Sequence, residues 1–267
     1  MTTAIMRLGS AFPGSPIGPR VIPRNNLGVP AFGLANMFTF SETTLANGLQ
    51  DSITGLLYAT EGAALDATNT EEMLPGGGMR LGGWRDVFGP VYNLQNPWTV
   101  ACTFQRGAPV DVANSACGIL STGSVDASGW FIWTQSLPGE SVAIGGRHGV
   151  YTNRFVTPTT VTANAVVKPY AGAYGQVESI VVTHDGTGQI NVFNIKGGAV
   201  AMMADTFDMT KIGGPNLPAK FGSAHSTINK GQKIYDLAAI YNRALSLAEA
   251  KAFAAAGAAI ALGRGRS

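Results

Sequence analysis

Charge is scarce in this chain. Lysine and arginine number 18 and aspartate and glutamate 16 among 267 residues, so that only 13% are charged and the formal net charge is +2. Soluble domains carry about a quarter. A balance this even, without a basic stripe, points away from nucleic acid as a partner. Cysteine is almost absent, with Cys102 and Cys117 alone, too few for a disulfide framework. The spacing leaves two readings, free buried thiols or one bridge between neighbouring strands, and the first is preferred. Histidine occurs only at positions 148, 184 and 225, none at short ligand spacing from a cysteine or carboxylate, which argues against a zinc site. No long hydrophobic run exists. The longest, Ala252 to Leu262, is short and alanine-rich, so insertion into a membrane is not expected. The start, Met1-Thr2-Thr3, has neither the basic head nor the apolar core of a signal peptide, and synthesis in a cytoplasm is the expectation.

Glycine (35) and proline (14) are plentiful instead, as many short strands joined by tight loops require. Residues 1–35 hold five of the prolines, at 13, 16, 19, 23 and 30, and no period of 2 or 3.6 survives there. This stretch reads as an extended arm. Its apolar side chains, Phe12, Ile17, Val21, Ile22 and Phe32 among them, are many for a tether. The arm is expected to lie along a neighbouring subunit, with folding back over its own domain as the alternative.

Strand signals begin at Asn36, where Phe38 and Phe40 alternate with Met37, Thr39 and Ser41. Pro75 to Gly78 reads as a loop and Met79–Leu81 as a brief strand. Trp98, Val100, Cys102 and Phe104 share one face of a central strand, with Cys117–Ser121 and Trp130–Thr134 expected as its partners. Residues 178–200 form the best hairpin, turning through Asp185-Gly186 with His184 in solvent; the second turn reads Ile195-Lys196-Gly197-Gly198. The last strand runs from Lys233 to Tyr241 and is broken by Asn242-Arg243. Ser246 and Glu249 then make a Ser-x-x-Glu capping box, with Leu245 placed to staple onto Ala250. A helix is expected from there to about Ala256, with Gly257 as its stop and Arg264 and Arg266 in a solvated tail.

The closing stretch, Ile234 to Phe253, resembles the end of laminin-G-like, concanavalin A-type jelly rolls, whose last strand runs into Tyr-Asn-Arg-Ala-Leu-Ser and a short Glu-containing helix. The strand opening Pro97-Trp98-Thr99 and the Asp-Gly turn at 185–186 agree with the same family, as does Asp51-Ser52 closing an early loop. The resemblance covers about residues 36–257. It implies an all-β, antiparallel two-sheet sandwich over 36–245, between the arm of 1–35 and a C-terminal helix and tail over 246–267. It does not imply an activity, because the sandwich hosts lectins, glycanases and structural modules.

Laminarinase-type glycanases of this fold carry Glu-x-Asp-x-x-Glu on one strand, which places acid and nucleophile on one face. That string does not occur here. Glu71-Glu72 is the only adjacent acidic pair, expected in a loop with opposite facings. No Gly-x-Ser-x-Gly elbow or phosphate loop exists, and no enzyme is expected. No cofactor is expected; calcium, which some laminin-G modules bind, has only the scattered Asp126, Asp185 and Asp205 as loop candidates. What remains is binding surface. Trp130, if outward, could stack on a sugar ring or another subunit, with Arg147, His148, Tyr151 and Asn153 as polar companions, although aromatics of a sandwich more often pack inside it. Modules similar to this one are common among the structural proteins of tailed bacteriophages. The resemblance thus implies a virion component on tail or capsid, forming a homo-oligomer and docked to other subunits by the arm, with adhesion to a cell-surface glycan as a second role. The alternatives are a stand-alone lectin and, third, a glycoside hydrolase.

Overall fold

A chain with alternating β-branched and aromatic runs every ten or so residues has to bury one face of each run, and two stacked sheets do so with the shortest connections. In the computed structural model the described residues are 27–41, 48–61, 70–82, 86–93, 95–107, 117–122, 130–136, 148–157, 160–166, 175–206, 216–222 and 231–267. The first strands are β1 (Leu34–Phe38), β2 (Leu49–Gln50), β3 (Leu57–Tyr58), β4 (Thr60–Glu61), β5 (Glu71–Met73) and β6 (Met79–Leu81). Next come β7 (Asp86–Asn93), β8 (Trp98–Arg106), β9 (Cys117–Thr122), β10 (Trp130–Ser136), β11 (His148–Thr157) and β12 (Thr160–Val166). The chain closes with β13 (Val177–His184), β14 (Gln189–Lys196), β15 (Ala199–Thr206), β16 (Asn216–Gly222), β17 (Lys233–Tyr241) and the helix α1 (Leu247–Gly263).

One sheet has the order β15-β14-β13-β8-β17-β6-β5, with β1 also on β17; a second runs β12-β11-β10-β9-β16-β7-β4, and β2 and β3 form a two-stranded third. Every pairing among the described residues is antiparallel. This is a concanavalin-like sandwich, the architecture the sequence implies. The expected partners of the central strand are corrected, however. β8 pairs with β13 and β17, whereas β9 and β10 belong to the second sheet. Cys102 and Cys117 therefore lie on strands of different sheets, and Cys102 is fully buried.

Two apolar layers use the two faces of the first sheet. Between the sheets, Trp98, Val100, Cys102 and Phe104 meet Ile180, Val182, Leu120 and Phe221. Phe38, Phe40, Phe221 and Tyr235 form a cluster of rings whose centroids lie 5.6–6.5 Å apart, the tilted and edge-on spacings aromatic rings favour. On the outer face, Ala101, Val181, Phe193, Leu237 and Ala239 are covered by Ala250, Phe253, Ala254 and Ala256 of α1. Both faces of β8, β13 and β17 are buried, which is why these strands read as near-continuous apolar runs.

The cap of α1 is as expected. Ser246 Oγ accepts from Glu249 N at 3.3 Å while Glu249 Oε2 accepts from Ser246 N at 2.9 Å. The stop at Gly257 is corrected, since α1 continues to Gly263. Gly257 serves close approach instead. A Cβ there would stand 2.6 Å from Thr103 Cβ and nearer still to its hydroxyl. The solvated tail is corrected too. Asp236, fully buried on β17, takes Arg264 Nη1 at 3.0 Å and Arg266 Nε at 2.9 Å.

Candidate functional site

The second role expected of the sandwich depends on where its aromatic run falls. β10 pairs with β11 in an unbroken register from Trp130↔Arg154 through Trp133↔Tyr151 to Ser136↔His148. Paired positions share a face and successive ones alternate. Trp130, Ile132 and His148 are thus of one parity, and Phe131, Trp133, Tyr151 and Asn153 of the other. On the next strand Ile132 is registered with Leu120 and Phe131 with Ser121. Leu120 is fully buried in the inter-sheet core and registered in turn with Phe221. The parity of Trp130 is therefore the core parity, and that of Phe131, Trp133, Tyr151 and Asn153 is the outer one. The register separates Trp130 and His148 from Tyr151 and Asn153, and adds Phe131 and Trp133 to the latter pair. Alternation within Trp130-Phe131-Ile132-Trp133 was visible in the sequence; which parity faced the core needed the long-range pairing to Leu120.

Arg147 lies outside the described residues, as do Phe12, Ile17, Val21 and Ile22 of the arm. Of the arm's end, Leu27 and Val29 pack against the cluster beneath α1. Phe32 is 76% exposed, with the Arg243 guanidinium 5.1 Å from its ring centroid and Arg243 Nε donating to its carbonyl at 2.8 Å. The first strand starts at Leu34, registered with Tyr241.

Several described carboxylates are engaged in building the fold. Asp51, fully buried, accepts from Asn36 Nδ2 at 2.7 Å, Met37 N at 2.9 Å, Ile53 N at 2.9 Å and Thr54 Oγ1 at 2.5 Å, tying the β2–β3 hairpin to β1. Glu178 accepts from Arg106 Nε at 2.7 Å and from Asn194 Nδ2 at 3.1 Å within the sandwich. Glu71 and Glu72 sit on the edge strand β5 and not in a loop, Glu71 taking Thr60 Oγ1 at 3.1 Å and Glu72 pairing with Arg80 at 2.8 Å. The Arg243 guanidinium, followed by the backbone N–H of Ser246, holds the Glu249 carboxyl down to about 2.

His184 is not in solvent. It is buried, stacked on Trp98 with centroids 5.4 Å apart, Nδ1 lying 3.1 Å from Asn96 O and Nε2 accepting from Gly188 N at 3.1 Å. Burial lowers its pKa by disfavouring the charged ring, against the smaller opposing pulls of Asn96 O and the Asp185 carboxylate.

Of the calcium candidates, Asp185 and Asp205 are described. Asp185 accepts from Thr187 N and Thr187 Oγ1, both at 2.7 Å, so its oxygens face donors, as in a tight turn and not a cation cage. Asp205 is on β15, registered with Ile190, and Asp126 lies outside the described residues. Among the described residues no group of three or more histidine, cysteine, aspartate or glutamate side chains could hold a metal ion, and no helix is long and apolar enough to cross a membrane.

No protein-family model matches the chain, and no curated protein matches it. Solved structures do. The sialidase of Trypanosoma rangeli, in complex with a difluoro-KDN ligand, is similar over 88% of this chain at 13% identity with a TM-score of 0.54. The botulinum neurotoxin serotype D binding domain is similar over 85% at 12% identity and 0.52. A botulinum neurotoxin type C structure, whose cell entry is described as dependent on two ganglioside molecules, is similar over 85% at 11% identity and 0.53. This chain spans 33% of the sialidase chain and 51% of each toxin chain. At these identities the likeness is one of fold: the chain is a concanavalin-like β-sandwich.

Proposed function

We propose that this protein is a non-enzymatic β-sandwich of a bacteriophage particle, in which it joins other subunits and adheres to a cell-surface glycan. The observation that carries the adhesive part is the register of β9, β10 and β11. It gathers Phe131, Trp133, Gln135, Tyr151 and Asn153 at positions of the outer parity of one sheet. Aromatic rings and amides are the side-chain chemistry that sugars engage, the rings by their apolar faces and the amides by paired donors and acceptors. The toxin domains that share the fold include one described by its gangliosides, which supports a glycan as ligand. The assembly part draws support from the low charge, the apolar Pro/Gly-rich arm and the resemblance to phage structural modules. The engagement of Asp51, Glu178 and Asp236 in buried hydrogen bonds supports a role other than catalysis.

The ganglioside likeness also favours a second reading, a lectin acting outside any particle. Labelling the chain in purified particles separates the two. Antibody decoration of particles together with retention on a glycan array is the expected result. A chain absent from particles but retained on glycans would leave the lectin. Reducing-end release from a polysaccharide panel, abolished by substitution of one carboxylate, would overturn the non-enzymatic reading.

A further inference from the structure

Sheet edges expose unpaired backbone donors and acceptors, and natural sheets blunt them with charge, proline, bulges or brevity. Among the described residues β4, β5 and β12 are blunted edges, and the outer side of β1 is engaged by Ser52 N donating to Met37 O and Met37 N donating to Asp51 Oδ1. β5 is three residues long and carries Glu71 and Glu72; β4 is two residues long and ends in Glu61. β12 is longer, but its register with β11 slips twice, between Thr152 and Arg154 and between Phe155 and Thr157.

The remaining edge, β15, carries a single charge near its end, Asp205, and none of the other devices. It runs for eight residues, Ala-Val-Ala-Met-Met-Ala-Asp-Thr, without proline or lysine. Its register with β14 is unbroken from Gln189↔Thr206 to Lys196↔Ala199. Among the described residues no strand pairs its outer side. Met202 is 52% exposed, while Val200, two positions away on the same face, packs partly on the cluster beneath α1.

We propose that β15 is a self-association edge, pairing antiparallel with β15 of a second copy about a two-fold axis through Met202. The axis has to carry outer face onto outer face, so position 202 meets its own copy, 200 meets 204 and 199 meets 205. Met202 then covers Met202, and the flexible thioether suits such a contact between identical side chains. Ala204, two positions along on the same face, leaves room beside it. The one charge on the strand, Asp205, falls opposite Ala199, which keeps the two aspartates about 20 Å apart along the ladder and beyond the Debye length of about 8 Å. An isologous pairing closes on itself and leaves no further copy of the edge open.

This inference names the surface for the self-association that the particle reading supposes. Its test needs neither particle nor glycan, so the two can fail separately. Sedimentation velocity of the full chain over a wide concentration range is expected to show a dimer. Met202→Lys sets two ammonium groups face to face and is expected to raise the dissociation constant about tenfold or more, with an unchanged far-ultraviolet spectrum. Met202→Cys is expected to give a disulfide-linked dimer under mild oxidation; Leu262→Cys, on an exposed residue of α1, is not. Should Met202→Lys fail to fold, the cysteine pair decides alone. A monomer at every concentration, a dimer indifferent to Met202→Lys, or equal cross-linking at 202 and 262 would overturn the proposal.

Discussion

Gly257 of α1 lies directly against Thr103 of β8, in a contact that no side chain larger than hydrogen admits. Thr103 cannot swing away freely, because its hydroxyl is 2.7 Å from Ser179 Oγ on the neighbouring strand. Helix and sheet therefore meet backbone to side chain at this point.

Gly257→Ala should be destabilising even though alanine is the better helix former. The propensity gain is about 1 kcal/mol, whereas overpacking of a close contact costs typically about 1–3 kcal/mol. A lower midpoint in urea at constant m-value is the expected outcome. A midpoint equal to or above that of the parent would show that α1 is free to lift from the sheet.

Local signals were legible and long-range ones were not. Ser246 and Glu249 identify the helix start because cap and carboxylate are three residues apart and satisfy each other. Gly257 reads equally well as a stop or as a close contact, and only the position of Thr103, 154 residues earlier, decides between them. The same holds for Arg264 and Arg266. As sequence they are end-of-chain cations; their partner is Asp236, which is the extra residue where the β17–β8 register shifts between Tyr235 and Leu237. For the candidate site, the alternation of Trp130 to Trp133 is local, but the core parity is set by Leu120 and Phe221 on other strands.

That bulge yields the next prediction. β17 shares one edge between β6, registered at Lys233–Tyr235, and β1, registered at Ala238–Tyr241. Arg264 Nη2 donates to Thr39 O at 2.5 Å and Arg266 Nη2 to Gly77 O at 3.0 Å, so the two guanidinia join both neighbours at Asp236. A Cβ on Gly78 would stand 2.5 Å from Arg266 Nη2, and Gly76, Gly77 and Gly78 all hold positive φ, of 81°, 98° and 101°, which accounts for the glycine run in that turn. Asp236→Ala leaves two guanidinia without their carboxylate, and removal of one partner of a buried pair costs roughly 3–5 kcal/mol. Thermal unfolding should show a large loss for Asp236→Ala and a smaller one for Asp236→Asn. Equal stability of all three proteins would contradict the clamp.

Ser246→Ala removes one half of the cap and should cost roughly 0.5–2 kcal/mol in a denaturant titration. Glu249, held near 2 in the folded chain against 4.5 ordinarily, contributes stability that is present above pH 4.5 and is lost as pH falls toward 2. Its partial exposure keeps that contribution small. Glu249→Gln should flatten the acid limb of stability slightly; a steeper limb would argue against the assignment.

His184 makes its own mark on the pH profile. Its folded pKa lies below the ordinary 6.5, so the unfolded chain takes up a proton first as pH falls. Stability from this residue is complete above pH 6.5 and declines below it. Unfolding free energies measured between pH 7.5 and pH 5, a window chosen around the ordinary histidine value of about 6.5, should slope downward. His184→Gln should remove most of that slope while lowering stability throughout, through loss of the stack on Trp98. An unchanged slope in the variant would assign the effect to another group.

The register of β10 predicts opposite consequences for two tryptophans three residues apart. Position 130 has the parity of Leu120, in the inter-sheet core, and position 133 has the parity registered with Tyr151. Trp130→Ala should behave as a core truncation, with a loss of about 3–5 kcal/mol, and should affect glycan retention only through stability. Trp133→Ala should leave the unfolding midpoint within about 0.5 kcal/mol, as surface changes do, and should lower retention on whichever glycan the parent binds. Tyr151→Ala, directly across the strand pair, should reproduce the second pattern and not the first. Both measurements are made on the same protein samples, so a folding defect cannot pass for a binding defect. Retention that survives Trp133→Ala and Tyr151→Ala but is lost in Trp130→Ala at full stability would move the site to the opposite parity, and with it the proposed glycan face.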